Sequence, residues 1–317
     1  MSDQLADPME LWRAARQGEA QMCRDLLQRN HTNPGYINCI LSDYYDHGMT
    51  ALVMAIKHSR KYERYRHSGH AAAHLEVVKV LLVYGADVSV ICDDGTTALH
   101  WAVKSAPTNE YMYLVLRNLP RDQVDVKVHG STALMTAVKL KQRRLWKYQV
   151  LALLDKGADA HTLDNQGNSL LHQSCETGEK LLDILQPYNV DVNLQCENGN
   201  TPLITTIGQE YRHIQKYGGN IGFKYYVEKL LSYGADVSIK NNFDRTAIQC
   251  ASVWLGPTAY VRILLEEQRL LHEQNRMLAF AEGSHPRNHR SSYVSNLEPE
   301  LLRMILELED TRVRGGA

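Results

Sequence analysis

Histidines are the residues of this chain whose spacing comes nearest to a chemical site. His67, His70 and His74 recur at i, i+3 and i+7, so a helix would place them on one face, where three imidazoles could hold a metal ion. No carboxylate or cysteine completes the set, and an ordinary helical insert explains the same pattern. The chain also lacks a GxxxxGK[ST] or GxGxxG nucleotide loop, a GxSxG elbow and an HExxH pair. We therefore expect no metal site, no cofactor and no enzyme activity.

The composition is that of an ordinary globular protein. The 317 residues include 35 Lys and Arg against 36 Asp and Glu, which gives a net charge of −1, and 44% are hydrophobic. Six cysteines are scattered without a CxxC pair, which favours reduced thiols in a cytosol-like compartment. No run of about 18 apolar residues occurs, and residues 1–10 do not resemble a secretory signal. We expect a cytoplasmic protein without a membrane span.

Two short patterns recur along the chain and keep a fixed distance from each other. The first is Gly-Ala-Asp behind a Leu-Leu pair, at residues 85–87, 157–159 and 234–236. The second is a polar turn followed by Thr or Ser and then a small or apolar pair; it starts at Gly48, Gly95, Gly130, Gly167, Gly199 and Asp244. From Asp87, Asp159, Asp191 and Asp236 to the next turn the interval is 8 residues, and only from Asp125 to Gly130 is it shorter, at 5. This period indicates stacked copies of one structural unit.

These residues resemble the ankyrin repeat, a unit of about 33 residues with a T-P-L-H-x-A core. The resemblance covers approximately residues 11–266 and implies an all-α ankyrin-repeat solenoid of about six repeats with an N-terminal cap and long inter-helix insertions. We expect an N-terminal capping repeat at residues 1–44 and the solenoid at residues 45–280. A linker at residues 281–296 and a C-terminal amphipathic helix and tail at residues 297–317 would follow.

The residue types suit this assignment. The Thr of each turn can cap the first helix of its repeat, and the Leu two residues later and Ala five residues later share its inward side. Gly85, Gly157 and Gly234 fit the end of the second helix, where a positive φ is needed. The Asp that follows opens a projecting β-turn, which we call a finger.

Three further residues take their expected roles from the resemblance alone. His100 and His172 match the histidine of the ankyrin core, which implies a structural bond between neighbouring repeats. Asn193 is similar to the asparagine that is hydroxylated in some ankyrin repeats, so it is a candidate modification site.

The resemblance also implies a binding surface on the concave face, which the fingers and first helices form. In the fingers, the register places outward Met49, Thr96, Ser131, Asn168, Asn200 and Arg245. In the first helices it places outward Met54, Lys57, Trp101, Lys104, Thr136, Lys139, Gln173, Glu176 and Thr205. Trp101 is the most suggestive of these because tryptophans anchor many interfaces. Packing of Trp101 against a tyrosine-rich edge is the alternative.

Four of five repeat units are over-long, and we expect the extra residues between the first and second helices. Two inserts, near residues 57–67 and 139–148, interleave aromatic and basic residues, and a third at residues 210–217 is mixed in charge. The predicted basic edge consists of Arg60, Lys61, Arg64, Arg66, Lys141, Arg143, Arg144 and Lys147. Such an edge favours an anionic ligand, including nucleic acid. Prolonged, solvated helix ends would explain the same residues without any partner.

The C-terminal segment is similar to the first helix of an F-box, whose opening runs L-P-x-E-L-L-x-x-I-L. The match consists of Leu297, Glu300, Leu301, Leu302, Ile305 and Leu306, with Pro299 one position late and Glu298 where the family has Pro. The resemblance implies recruitment of the ubiquitin-ligase adaptor Skp1, as in viral and bacterial host-directed ankyrin proteins. An amphipathic helix that caps the last repeat is the alternative.

The sequence thus predicts a non-enzymatic scaffold that binds a protein partner through the concave face. A ubiquitin-ligase substrate adaptor and a module that binds nucleic acid or another anion remain as alternatives. We expect a monomer in the cytoplasm, with a host cytosol or the nucleus as other locations.

Overall fold

The computed structural model describes residues 7–30, 33–41, 48–59, 68–105, 108–140, 146–174, 179–217 and 223–255, with residues 265, 268–270 and 273. Within these ranges the secondary structure is helical, and two isolated β-bridges, Leu41 with Met49 and Val128 with Ser131, are the only β pairing. The predicted all-α architecture is confirmed.

The helices come in pairs along the chain. The cap contains α1 (Pro8–Gln17) and α2 (Ala20–Arg29), followed by the short α3 (Pro34–Ile37). Repeats 1 to 3 contain α4 (Ala51–His58) with α5 (Ser68–Val83), α6 (Ala98–Ser105) with α7 (Asn109–Asn118), and α8 (Ala133–Lys139) with α9 (Trp146–Lys156). Repeats 4 and 5 contain α10 (Leu170–Gln173) with α11 (Glu179–Leu185), and α12 (Pro202–Tyr217) with α13 (Phe223–Ser232). Repeat 6 begins with α14 (Ala247–Trp254), and short 3-10 turns lie at Arg121–Gln123 and Gln186–Tyr188.

The first helices form one continuous layer. Helices α1, α4, α6, α8, α10, α12 and α14 contact one another in that order. The second helices pack behind them, with α2 on α5, α5 on α7, α7 on α9 and α11 on α13. Each repeat therefore contacts its neighbours, which is the arrangement of a solenoid.

Capping threonines begin the first helices, as predicted. The Oγ1 atoms of Thr50, Thr132 and Thr246 accept hydrogen bonds from the N–H groups three residues later, at 3.3, 3.2 and 3.3 Å. The predicted inward residues are buried in all three of the repeats in which they were assigned: Leu52, Ala55, Leu99, Ala102, Leu134 and Ala137. The capping threonines and the buried inward residues therefore indicate the same register for the first helices.

Backbone conformation confirms the turn positions. Gly85, Gly157 and Gly234 end second helices with φ of 86°, 103° and 87°. At the polar turns, five glycines have positive φ and Asp244 takes the same conformation at 57°. Asp244 thus replaces the turn glycine of the other repeats, which supports its assignment as the sixth copy.

Fingers of neighbouring repeats are joined by bonds from backbone N–H groups to side chains. The N–H of Asp87 donates to Asn38 Oδ1 at 2.8 Å, and the N–H of Asp236 donates to Asn193 Oδ1 at 2.8 Å. The N–H of Asp159 likewise donates to the carboxylate of Asp125 at 3.0 Å. Burial raises the pKa of Asp125, although this N–H bond acts against the shift. These bonds hold successive fingers in line.

One insertion differs from the prediction. Residues 210–217 do not separate the first and second helices of repeat 5 but continue α12, which has 16 residues against 8 in α4. The neighbouring repeat supports the extension, because the rings of Tyr211 and Trp254 stack with centroids 6.4 Å apart. Gly208 leaves room for Trp254, since a Cβ there would lie 3.3 Å from the indole.

Candidate protein-binding face

Trp101 lies at the centre of the best-defined cluster on the concave face. Its half-buried indole donates from Nε1 to Thr96 Oγ1 at 2.9 Å. The ammonium groups of Lys57 and Lys104 lie 4.9 and 5.0 Å from its ring centroid, within range of cation–π attraction. The finger and two lysines from successive repeats therefore fix the orientation of one aromatic side chain.

The lysines of this cluster belong to a series with one member in each of repeats 1 to 3. Each of these lysines, Lys57, Lys104 and Lys139, lies seven residues after the threonine at the start of its helix. Each therefore lies in the last turn of α4, α6 or α8, where a cation is favoured by the helix dipole. We call these three residues the lysine ladder.

First helices are also tied to their own fingers. In repeat 3, Lys139 Nζ donates to Ser131 Oγ at 3.0 Å, and in repeat 4, Gln173 Nε2 donates to Asp164 Oδ2 at 2.9 Å. Burial alone would raise the pKa of Asp164, but hydrogen bonds from the N–H groups of Asn168 and Gln166 hold it below its ordinary value. Together with the bond from Trp101 to Thr96, these contacts order the face before any partner arrives.

Two predicted outward positions are wrong. Met49 and Met54 are buried, with 3% and 0% of their surface exposed. Met49 lies under the cap, where the Nε1 of Trp12 donates to its carbonyl at 3.1 Å. Helix α4 packs against α1, α5 and α6, so that Lys57 is its only residue outside the buried class.

The remaining predicted positions divide by exposure. Lys104, Lys139 and Arg245 are exposed. The half-buried positions are Lys57, Thr96, Trp101, Ser131, Thr136, Asn168, Gln173, Asn200 and Thr205. Some of these serve the scaffold: the Oδ1 of Asn200 accepts from Asn241 Nδ2 at 2.8 Å. Glu176 lies outside the described residues.

Of the two core histidines, His172 makes the bond between neighbouring repeats that the resemblance implied, whereas the hydrogen bond of His100 lies within its own repeat. The Nε2 of His172 lies 2.9 Å from the Asn200 carbonyl of the next repeat, and its Nδ1 accepts from the Ser169 N–H at 3.1 Å. His100 Nδ1 lies 2.9 Å from Thr97 Oγ1. Burial lowers the pKa of both imidazoles.

The structure does not describe a site formed by His67, His70 and His74. His74 is fully buried, and its Nε2 lies 3.1 Å from the carbonyl of Arg16 in the cap. His67 and the side chain of His70 lie outside the described part of the chain. Among the residues that are described, no group of three His, Cys, Asp or Glu side chains is arranged to hold a metal ion.

Asn193 connects two fingers. Its Nδ2 donates to the Gly234 carbonyl at 3.1 Å while its Oδ1 accepts from Asp236, and its own N–H donates to Asp191 Oδ1 at 2.8 Å. Its amide is therefore engaged in the native fold, and modification of Asn193 stays a prediction.

Most of the predicted basic edge and the whole C-terminal helix fall outside the described residues. The undescribed members are Arg60, Lys61, Arg64, Arg66, Lys141, Arg143, Arg144, Leu297, Pro299, Glu300, Leu301, Leu302, Ile305 and Leu306. Lys147 is described and is exposed near the start of α9. In the mixed insert, His213 packs on Tyr217 with ring centroids 4.6 Å apart.

The lysine ladder is the feature that reasoning from the sequence missed. The sequence register predicts each of its members as a separate outward position, without relating the three positions to one another. Aligning the repeats on the capping threonines would have revealed it, because Lys57, Lys104 and Lys139 share one position in three consecutive repeats.

The fold and the repeated turns define an ankyrin-repeat solenoid. A family model described as ankyrin repeats (3 copies) matches residues 69–148. None of the helices among the described residues is long and apolar enough to span a membrane.

Solved structures share this architecture. The ankyrin repeat domain of Bcl-3, titled a unique member of the IkappaB protein family, superposes with a TM-score of 0.58 at 22% identity and covers 81% of this chain and 97% of that one. The human ASB11 ankyrin repeat domain gives a TM-score of 0.57 at 19% identity, with 81% and 96% covered. At these identities the likeness shows the fold alone.

Curated relatives match over part of their length. A putative ankyrin repeat protein of Rickettsia felis is 34% identical over 101 residues, which are 30% of this chain and 40% of the relative. The mouse B-cell lymphoma 3 protein homolog is 26% identical over 181 residues, which are 56% of this chain and 37% of the relative. The chain thus spans less than half the length of these proteins.

Proposed function

We propose that this chain is a non-enzymatic scaffold that binds a protein partner through the concave face. The observation that carries the proposal is the environment of Trp101. A half-buried indole, fixed by Thr96 and flanked by Lys57 and Lys104, offers a rigid apolar surface beside polar groups. Aromatic side chains with these properties are enriched at interface hot spots.

Affinity capture with matched variants tests this proposal. Trp101→Ala removes the anchor, while Tyr113→Ala removes a more exposed aromatic ring from α7, where 62% of the residue is accessible. We expect proteins captured by the unaltered chain to be lost with Trp101→Ala and retained with Tyr113→Ala. Urea unfolding of each variant checks that the fold persists. Equal recovery with both variants would contradict the proposal.

A finer proposal makes the chain a substrate adaptor that recruits Skp1 through residues 297–309. Its support is the F-box-like pattern of Leu297, Glu300, Leu301 and Leu302. A pull-down with purified Skp1, using the chain with and without residues 291–317, tests it. Loss of Skp1 on truncation is the expected result, and absence of Skp1 from both samples would contradict this role.

A competing proposal assigns the basic edge to nucleic acid or another anionic ligand. Its support is the run of basic residues at 139–147, of which Lys147 is exposed. Binding of a single-stranded oligonucleotide should then weaken steeply as salt rises. Charge reversal at Lys141, Arg143 and Arg144 should abolish that binding, and binding that survives the reversal would exclude this function.

We propose a monomer in the cytoplasm, with a host cytosol or the nucleus as other locations. Light scattering on the purified chain tests the oligomeric state, and a dimer mass would contradict it.

A further inference from the structure

We propose that residues 297–308 of this chain dock as a helix into a groove between α7 and α9. The groove lies on the outer face, which is the side of the solenoid that the second helices form. Trp101 and the concave face belong to the layer of first helices in front of it. The inference therefore goes beyond the proposed function and does not depend on it.

The groove is an apolar opening between two neighbouring second helices. Its volume is about 700 Å³, and its apolar lining consists of Met112, Tyr113, Leu116, Tyr148, Leu151 and Ala152. Tyr113 and Tyr148 expose 62% and 63% of their surface, and Leu151 exposes 38%. Large apolar side chains that lie together and stay exposed mark an interaction site.

Ion pairs cross two other boundaries between second helices but not this one. Lys79 of α5 lies 3.2 Å from Glu110 of α7. Lys229 of α13 lies 2.8 Å from Asp183 of α11. Among the ion pairs of the described residues, none joins α7 to α9. Charged side chains therefore bridge those two boundaries, whereas the boundary between α7 and α9 keeps its apolar opening.

The rim of the groove carries cations that the chain does not neutralise. Arg117 and Lys156 line the groove from the last turns of α7 and α9. Neither belongs to an ion pair of the described residues. The lining also includes one acid, Asp155, so cations outnumber acids at the rim. An apolar occupant with acidic flanks is therefore favoured.

The C-terminal segment has this pattern. As a helix it would align five apolar residues on one side: Leu297, Leu301, Met304, Ile305 and Leu308. Four acids would flank this stripe, two on each side: Glu298 and Glu309, then Glu300 and Glu307. Twelve helical residues span about 18 Å and the 10 residues of α7 span about 15 Å, so the stripe matches the groove in length.

The connecting chain is long enough to bring the segment to the groove. The described residues reach residue 273, which follows α14 of repeat 6. The chain from residue 273 to residue 297 can span up to about 80 Å. The boundary of repeats 2 and 3 lies between three and four repeats before repeat 6, which is about 35 Å at the usual spacing of packed helices. Attachment to the same chain also raises the local concentration of the segment.

Site-specific photocross-linking in the full chain tests the proposal. Benzoylphenylalanine in place of Tyr148 puts a photoreactive group in the groove. The same group in place of Tyr225 is the control, because this residue of α13 is 58% exposed and lies closer to residues 297–308 along the chain. Peptide mapping of the monomer should find at least about fivefold more cross-links to residues 297–308 from position 148. Equal labelling from both positions would overturn the proposal, and so would cross-links formed only between two molecules.

Substitutions in the segment supply a second arm that leaves the sequence of the solenoid unchanged. Leu301→Ser with Ile305→Ser interrupts the apolar stripe and should lower the yield of the cross-link from position 148 about tenfold. Arg303→Ser with Asp310→Ser changes the opposite side of the helix and should leave the yield within about twofold. Equal yields from the two double variants would overturn the apolar contact.

Charge reversal at the rim supplies the third arm. Arg117→Glu with Lys156→Glu should lower the yield about threefold at low salt, because two attractive contacts become repulsive. Arg13→Glu with Arg29→Glu makes the same change of net charge at exposed positions of the cap, and should leave the yield within about twofold. Equal loss in both double variants would overturn the contribution of the rim.

The proposed function and this inference fail separately. Trp101→Ala should leave the cross-link from position 148 unchanged, because the indole lies on a first helix. Loss of the cross-link in Leu301→Ser with Ile305→Ser should leave a partner on the concave face. A cross-link that is lost with Trp101→Ala would place the segment on the concave face and overturn docking on the outer face.

Discussion

The imidazole of His172 joins two repeats through the carbonyl of Asn200, which lies 2.9 Å from Nε2. Its Nδ1 accepts from the N–H of Ser169, so the neutral ring carries its proton on Nε2 and donates it across the repeat boundary. If Nδ1 were protonated as well, its N–H would face the N–H of Ser169, and neither could accept from the other. The fold therefore requires the neutral form of a residue that titrates close to neutral pH.

Low pH should lower the free energy of unfolding, because the folded protein requires a neutral His172. Burial lowers the pKa of His172 and His100 below their ordinary value of 6.5, so the unfolded state takes up protons first as the pH falls. Stability is full above pH 6.5 and is lost below it, by up to about 1.4 kcal/mol per pH unit for each histidine. Urea unfolding between pH 7.5 and 5.5 measures this loss.

The matched variants are His172→Gln and His161→Gln, the second at an exposed position in a finger. His172→Gln should be less stable at pH 7.5 and show a shallower pH dependence, whereas His161→Gln should follow the unaltered protein. Unchanged pH dependence in His172→Gln would show that the ring does not govern the acid loss.

Gly199→Ala should be much more destabilising than Gly85→Ala. Both glycines have positive φ, 71° at Gly199 and 86° at Gly85, so each alanine meets a backbone strain of about 1–2 kcal/mol. At Gly199 the new Cβ would also lie 2.6 Å from the backbone nitrogen of Asn242, whereas nothing lies within 4 Å of it at Gly85. Overpacking adds about 1–3 kcal/mol. Equal unfolding free energies in the two variants would be incompatible with the close approach.

Thr132→Ala should lower the free energy of unfolding by about 1 kcal/mol. The side chain is buried and its Oγ1 accepts from the N–H of Met135 at 3.2 Å, so alanine leaves that donor without its acceptor. Thr136→Ala, one turn later on the same helix, serves as the control and should cost less. Denaturant titration followed by circular dichroism gives both values, and a larger loss in the control would reject the cap.

Tyr226→Phe should cost about 1 kcal/mol of stability. The buried phenol of α13 donates to the Leu171 carbonyl at 3.1 Å and pairs with Ser174 Oγ, which joins repeats 4 and 5. Tyr113→Phe removes a hydroxyl from an exposed ring and should change the stability by less than about 0.5 kcal/mol. Thermal unfolding of the two variants decides the point, since equal midpoints would mean that the buried hydroxyl contributes nothing.

The register of the repeats was predictable because its signals are local. A capping threonine, a small inward residue and a glycine with positive φ act within a few residues of one another, and Asp244 was placed in the correct copy although it is not glycine. Burial at Met49 and Met54 was not predictable in this way. It depends on Trp12 and the other residues of the cap, whose sequence departs from the repeat pattern.

The extension of α12 escaped prediction for a similar reason. Residues 210–217 make repeat 5 longer than the usual unit. The sequence therefore predicts that they form an insertion between its two helices. Their helical state depends on Trp254, which comes more than 35 residues later in the chain and stacks on Tyr211. The equivalence of the three ladder lysines, in contrast, was available from the sequence and needed only an alignment of the repeats.

The finger bonds have a consequence for how the molecule opens. The bonds from Asp87 to Asn38, from Asp159 to Asp125 and from Asp236 to Asn193 each join adjacent repeats, so cooperativity passes along the chain one step at a time. Terminal repeats can then fray while the middle persists. A partner that lies across the first helices of repeats 1 to 3 would connect repeat 1 directly to repeat 3. Such a partner would couple the opening of these three repeats. Their amide hydrogens would then exchange together, and only after the partner dissociates.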